Sequence, residues 1–149
     1  MPEKKTLERA KKDKRAGKAA STQAGEFVRE EIHHIRQGKH GAKSTKQAIA
    51  IGLSKARRAG VKLKPPKKGT TSTATRKKAE RDTAKGQSKR KSKPSAKRSH
   101  ATRAALKREP RSAASHRALS KQAKQAARTR KRRGTTSAGR RTRKTTRKR

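Results

Sequence analysis

The chain has 149 residues, of which 50 are Lys or Arg and nine are Asp or Glu, giving a formal net charge of +41; 25% are hydrophobic and 1% aromatic. Globular domains run at about 45–50% apolar content, so most of the chain is expected to be disordered when alone, and the lack of cysteine excludes a disulfide framework and a thiolate zinc site. That much positive charge repels itself strongly and calls for a polyanionic partner, nucleic acid first.

The charge is unevenly spread. Residues 1–63 carry 17 basic and six acidic side chains, net +11, together with most of the large apolar residues; residues 64–149 carry 33 basic side chains against Glu80, Asp82 and Glu109, net +30. The expected fold is therefore mainly α: a charged, helix-permissive arm over 1–20, a small helical hairpin over 21–63, and a long disordered Lys/Arg/Ala/Ser/Thr-rich tail over 64–149. The start lacks the apolar stretch of a secretory signal, and no apolar run nears the roughly 20 residues of a membrane span. A cytoplasmic protein is the reading that follows.

From Lys4 to Arg15 the only apolar anchors are Leu7 and Ala10, three apart on one face. Gly17 ends this arm, and Ser21 or Thr22 is a candidate N-cap for a helix over about 23–37, with Glu26 near its start. Phe27, Val28, Ile32 and Ile35 fall on one stripe of that helix and Gly38 stops it. Ser44-Thr45-Lys46-Gln47 matches a capping box, which predicts a third helix over Thr45 to Arg58, closed by Gly60. Val61 and Leu63 are placed to fold back as a clasp before Pro65-Pro66 ends regular structure. Phe27, Val28, Ile32, Ile35, Ile49, Leu53 and Val61 make a core of fewer than ten large residues. A core that small makes self-association, or a protein partner on the Phe27/Ile32/Ile49/Leu53 face, a live alternative.

Beyond Pro66 the hexapeptide at 67–72 (KKGTTS) is echoed at 132–137 (RRGTTS). Between Ser115 and Arg133 alanine and glutamine supply helix propensity, and Arg117, Lys121, Lys124 and Arg128 recur at intervals of four, three and four, which puts them on one face. Free in solution such a helix suffers like-charge repulsion, which a polyanion removes. Contacts to phosphate are expected from Lys55, Arg57 and Arg58 at the end of the third helix, from Lys67 and Lys68, and from Arg117, Lys121, Lys124, Arg128, Arg130, Lys131, Arg132, Arg133, Arg140 and Arg141. Lys and Arg meet the same backbone on every duplex, so the binding is sequence-tolerant and salt-dependent. Phe27, the only aromatic, argues against single-strand binding by stacking.

His33, His34 and His40 lie close in sequence, but no cysteine or suitably spaced acid completes a tetrahedron, so they read as exposed titrating groups, with no metal and no cofactor. Glu30 and Glu31 read as neighbours on a helix surface, and no concave domain is large enough to desolvate a catalytic group. An enzyme is not expected. The tail offers only Leu106 and Leu119 as membrane anchors, too few for an interfacial helix.

The strings Ser21 to His34 (STQAGEFVREEIHH) and Ser44 to Gly60 (STKQAIAIGLSKARRAG) resemble a family of short basic bacterial proteins catalogued as a domain of unknown function, over roughly Met1 to Gly69. The resemblance implies a bacterial source and no particular activity. In composition alone the tail is similar to the Lys/Ala-rich tails of linker histones and bacterial histone-like proteins, though it mixes much Arg with Lys and has few prolines. The function expected is histone-like, sequence-tolerant DNA binding and charge neutralisation in the nucleoid. Its rivals are an RNA-binding or ribosome-associated role, and an adapter whose hairpin binds a protein while the tail tethers it to nucleic acid.

Overall fold

The computed structural model describes residues 2–88 and 95–146, with side chains as far as residue 132. The described residues are mainly helical and contain no strand. The parts of the tail reading that fall on 89–94 and 147–149 lie outside the described residues.

Helix α1 spans Lys4–Arg15, as the sequence predicts, but it is not a loose arm. Thr6, Ala10 and Asp13, at i, i+4 and i+7, turn one face of it into the protein and leave the lysines outward. Gly17 takes φ +68° after it, and Lys18 Nζ donates back to Asp13 Oδ1 at 2.7 Å. That hydrogen bond, with the Asp13 charge, raises the Lys18 pKa.

Helix α2 spans Ala20–Arg36 and starts ahead of the expected cap. Ala19 stands at the N-cap with no side-chain cap, and Gln23 Nε2 donates instead to Lys18 O at 2.8 Å, so neither Ser21 nor Thr22 is needed as a stop. Phe27, Ile32 and Ile35 are buried as the stripe predicts. Gly38, at φ +74°, ends the helix turn.

Helix α3 spans Thr45–Arg58. Ser44 Oγ accepts from Gln47 N at 3.2 Å, while Gln47 Oε1 accepts from Lys43 N at 2.8 Å, a capping box displaced by one residue on its return leg. The α2–α3 crossing depends on Gly52, because a Cβ there would lie 2.7 Å from Val28 Cα. After α3 the chain returns as the clasp: Val61 N donates to Ala56 O and Val61 is 8% exposed. Ala10, Ala24, Phe27, Ala56 and Val61 form the core, with Leu7, Ala20, Leu53 and Leu63 on its margin. One aromatic among alanines lets the backbones come close.

Regular structure does not end at Pro65-Pro66, which corrects that expectation. Helix α4 spans Thr73–Gln87 and α5 spans Ala96–Arg108, followed by a 3₁₀ turn at Ser112–Ala114. Ser72 Oγ caps α4 by accepting from Thr75 N, and Ala79 and Asp82 bury one face of it against α3. Asp82 accepts from Ser54 Oγ at 2.6 Å and from Arg58 Nε at 2.9 Å. Gly86 completes the approach, since any Cβ there would collide with the Arg57 carbonyl.

A strap made of residues 106–114 then crosses the turn between α2 and α3. Gly41 N donates to Leu106 O, Ala42 N to Pro110 O, Thr45 Oγ1 to Ala113 O and Arg36 Nε to Ala114 O, with Ala113 and Ala114 buried. Residues 1–114 form one compact unit, so the hairpin of 21–63 is its centre rather than the whole of it. Residues 115–149 form a second unit, whose described part is helix α6, His116–Thr146. The two hexapeptide copies differ in setting: residues 67–72 turn and cap α4, whereas 132–137 lie inside α6.

Candidate nucleic-acid interface and a buried His–Glu cluster

Helix α6 is longer than the predicted 115–133 and contains twelve basic residues and no acid. Ser115 Oγ accepts from Ala118 N at 3.2 Å and supplies the cap. Arg117, Lys121, Lys124 and Arg128 are all exposed on one face, spread over about 16 Å at 1.5 Å per residue. Ala118, Gln122 and Ala126 are less exposed and fall on the other side. Arg130 lies off the stripe with Nε 3.4 Å from Ala126 O, and Lys131 and Arg132 are exposed. Arg133, Arg140 and Arg141 are on the helical backbone of α6, but their side chains lie outside the described residues.

The three site residues expected at the end of α3 are engaged within the protein. Lys55 Nζ lies 2.5 Å from Glu31 Oε2 and 3.6 Å from Glu30 Oε1. Arg57 is 8% exposed with Nε lacking a hydrogen-bond partner; burial lowers its pKa and the Asp82 charge opposes that. Arg58 pairs with Asp82. Burial pushes the Asp82 carboxyl up, but hydrogen bonds from Ser54 and Arg58 and the charges of Arg58 and Lys78 together hold it below the ordinary carboxylate range. Lys67 and Lys68 remain exposed in the turn closed by Thr70 N to Lys67 O.

Two further basic faces went unnoticed in the sequence. On α1, Lys4, Lys11, Lys12 and Arg15 point outward, opposite Thr6, Ala10 and Asp13. On α4, Lys77, Lys78, Arg81 and Lys85 are exposed, while Ala79 and Asp82 are buried. The signal for the second was present: Ser72 as a cap, and an alanine and an acid three apart in an otherwise basic run. Of the residues suggested for a protein partner, Phe27 and Ile32 are inside the core, and Ile49 and Leu53 are half-buried.

A polar cluster lies inside the helical unit, where surface histidines and glutamates were expected. Glu30 and Glu31 are 6% and 1% exposed, not surface neighbours. His34 is 9% exposed with Nε2 2.7 Å from Glu3 Oε1, and His40 is half-buried with Nε2 3.1 Å from Glu31 Oε1. Only His33 keeps the expected exposed setting, 2.7 Å from Gln37 Nε2. One ligand atom each from Glu31, His34 and His40 can be chosen so that all lie within 4.8 Å of one another, which makes this trio the group able to hold a metal among the described residues. Glu31 and His34 share a face at i and i+3, and the turn after Gly38 brings His40 back to them. Spacing in the sequence does not show that return.

Residues 5–68 match a family described only as a family of unknown function (DUF6496). That span takes in all but the first residue of α1, the whole of α2 and α3, and the clasp, and stops short of α4. Comparison with curated proteins and with solved structures found no match. No described helix is long and apolar enough to cross a membrane.

Proposed function

We propose that the protein is a histone-like, sequence-tolerant DNA-binding protein that neutralises backbone charge, with the bacterial nucleoid as its setting. The observation that carries this reading is α6, a helix of 31 residues with twelve cations, no acid, and an exposed Arg117/Lys121/Lys124/Arg128 face. Like charges three and four apart destabilise an isolated helix, and a polyanion lying along the stripe turns that repulsion into attraction. Affinity comes from release of counter-ions, and with a net charge of +41 one chain covers about 20 base pairs.

Residues 1–114 form a compact unit with basic faces of its own on α1 and α4. Lys55 and Arg58 pair with acids of that unit and Arg57 is buried in it, so the phosphate contacts are assigned to α6, to Lys67 and Lys68, and to α1 and α4. Lys and Arg contacts to phosphate carry no sequence information, and sequence tolerance follows.

The test is binding of the full-length protein to duplex DNA and to structured RNA at equal phosphate across a salt series. Replacing Arg117, Lys121, Lys124 and Arg128 by Gln is expected to lower the salt slope by about 3 to 4, at about 0.9 per phosphate contact. An unchanged slope removes the stripe from the mechanism, and a preference for RNA replaces the DNA reading.

A further inference from the structure

We propose that Glu31, His34 and His40 form a three-ligand site for one divalent transition-metal ion of the zinc class, tying α2 to the turn that leads into α3. The site is independent of nucleic-acid binding and rests on four observations.

First, the donor set is right. Two imidazoles and a carboxylate are the ligands zinc accepts in three-residue protein sites, with a fourth position left to water. One ligand atom from each lies within 4.8 Å of the others, and the Glu31 Oε1 to His40 Nε2 distance of 3.1 Å is close to the edge of a zinc tetrahedron, about 3.3 Å for bonds near 2.0 Å. The His34 and His40 rings meet edge to face, at 82° and 6.3 Å between centroids.

Second, Glu31 keeps one carboxylate oxygen open to an ion. It is 1% exposed and neither carboxylate oxygen has a hydrogen-bond partner of good geometry. Lys55 Nζ meets Oε2, which leaves Oε1 for the ion.

Third, His40 faces Glu31 with the nitrogen that is free to ligate. Its Nδ1 lies 3.1 Å from Gly41 O, and a carbonyl only accepts, so Nδ1 carries a proton and Nε2 is the nitrogen left to bind an ion. Glu31 Oε1 stands 3.1 Å from that nitrogen with no hydrogen bond of good geometry between them. An ion bound by both atoms would take the place of that missing hydrogen bond.

Fourth, the surroundings supply negative potential and an orienting partner. Glu3, Glu30 and Glu31, three of the nine acids in a chain of net charge +41, converge here against Lys39 and Lys55. The Glu3 carboxylate at His34 Nε2 fixes that ring, as outer carboxylates do for metal-bound histidines.

Untagged full-length protein stripped with a chelator and titrated calorimetrically with zinc, in phosphate-free buffer at high salt, tests the site. The expected result is one ion per chain, with affinity reduced at least tenfold by His40→Ala and unchanged by His33→Ala. Cobalt supplies a readout that a merely structural His40 would not move: the near-ultraviolet spectrum of bound Co²⁺ should gain a thiolate charge-transfer band in His40→Cys. Absence of saturable one-ion binding, equal losses from His33→Ala and His40→Ala, or cobalt-loaded His40→Cys without that band overturns the proposal.

Discussion

Gly52 and Ser44 are the residues on which the hairpin geometry turns. Gly52 lets α2 cross α3 with the Val28 backbone where a side chain would otherwise stand, so Gly52→Ala must push the helices apart. It is expected to cost about 1–3 kcal/mol, as overpacking typically does, read by urea denaturation of the full-length protein. Ser44→Ala removes the side-chain acceptor for Gln47 N and is expected to cost about 1 kcal/mol in the same assay. The two differ in legibility. Ser44 announces itself by local chemistry, whereas Gly52 reads as a weak spot in a helix until the partner helix is in view. The histidines divide in the same way, because Glu31 and His34 at i and i+3 are visible on one helix face while His40 joins them only through the turn.

At the scale of elements, α4 is the part whose docking can be switched by acid. Its carboxyl at Asp82 has a depressed pKa, so its contribution to stability is present above the unfolded-state value and is lost as pH falls through the folded one. The loss begins below about pH 4, where an unperturbed Asp starts to take up its proton. Amides of α4 are therefore expected to exchange faster with solvent as pH is lowered through this range, after correction for intrinsic exchange, while the α2–α3 core amides keep their protection. Asp82→Asn at neutral pH should produce the same selective loss, about 1–2 kcal/mol, a figure held down by the exposure of Arg58 to water. Equal loosening of α3 and α4 would mean that α4 is not a separable element.

At the scale of the molecule, charge and fold are divided between the two units. Residues 115–149 hold 15 of the 50 basic residues and no acid, whereas the buried ion pairs and the apolar core seen among the described residues lie within residues 1–114. A chain ending at Ala114 should keep its cooperative unfolding transition while its DNA affinity becomes weaker and less salt-dependent, falling by about 0.9 in slope for each phosphate contact removed. The intact chain should gain helical circular dichroism on adding duplex DNA, because neutralising the cations of α6 removes their mutual repulsion. No gain in ellipticity would mean that α6 is fully formed without a polyanion.

Composition and local pattern determined the predominantly helical class, the limits of α1 and α3, the apolar stripe of α2, the Val61 clasp and the position of the cationic stripe. Each depends on residues within one or two turns of one another, where caps, glycines and the helical repeat act directly. What only the tertiary structure decided were the contacts between residues far apart in the chain. Lys55, Arg57 and Arg58 look like phosphate ligands in sequence and are held by acids or buried in the fold. The basic run after Pro66 looks unable to bury anything, yet one alanine, one aspartate and a strap of backbone carbonyls dock it. The reason is common to both: a charge is read from sequence as solvated, and whether it meets water, phosphate or a buried partner depends on what the rest of the chain brings within about 4 Å of it.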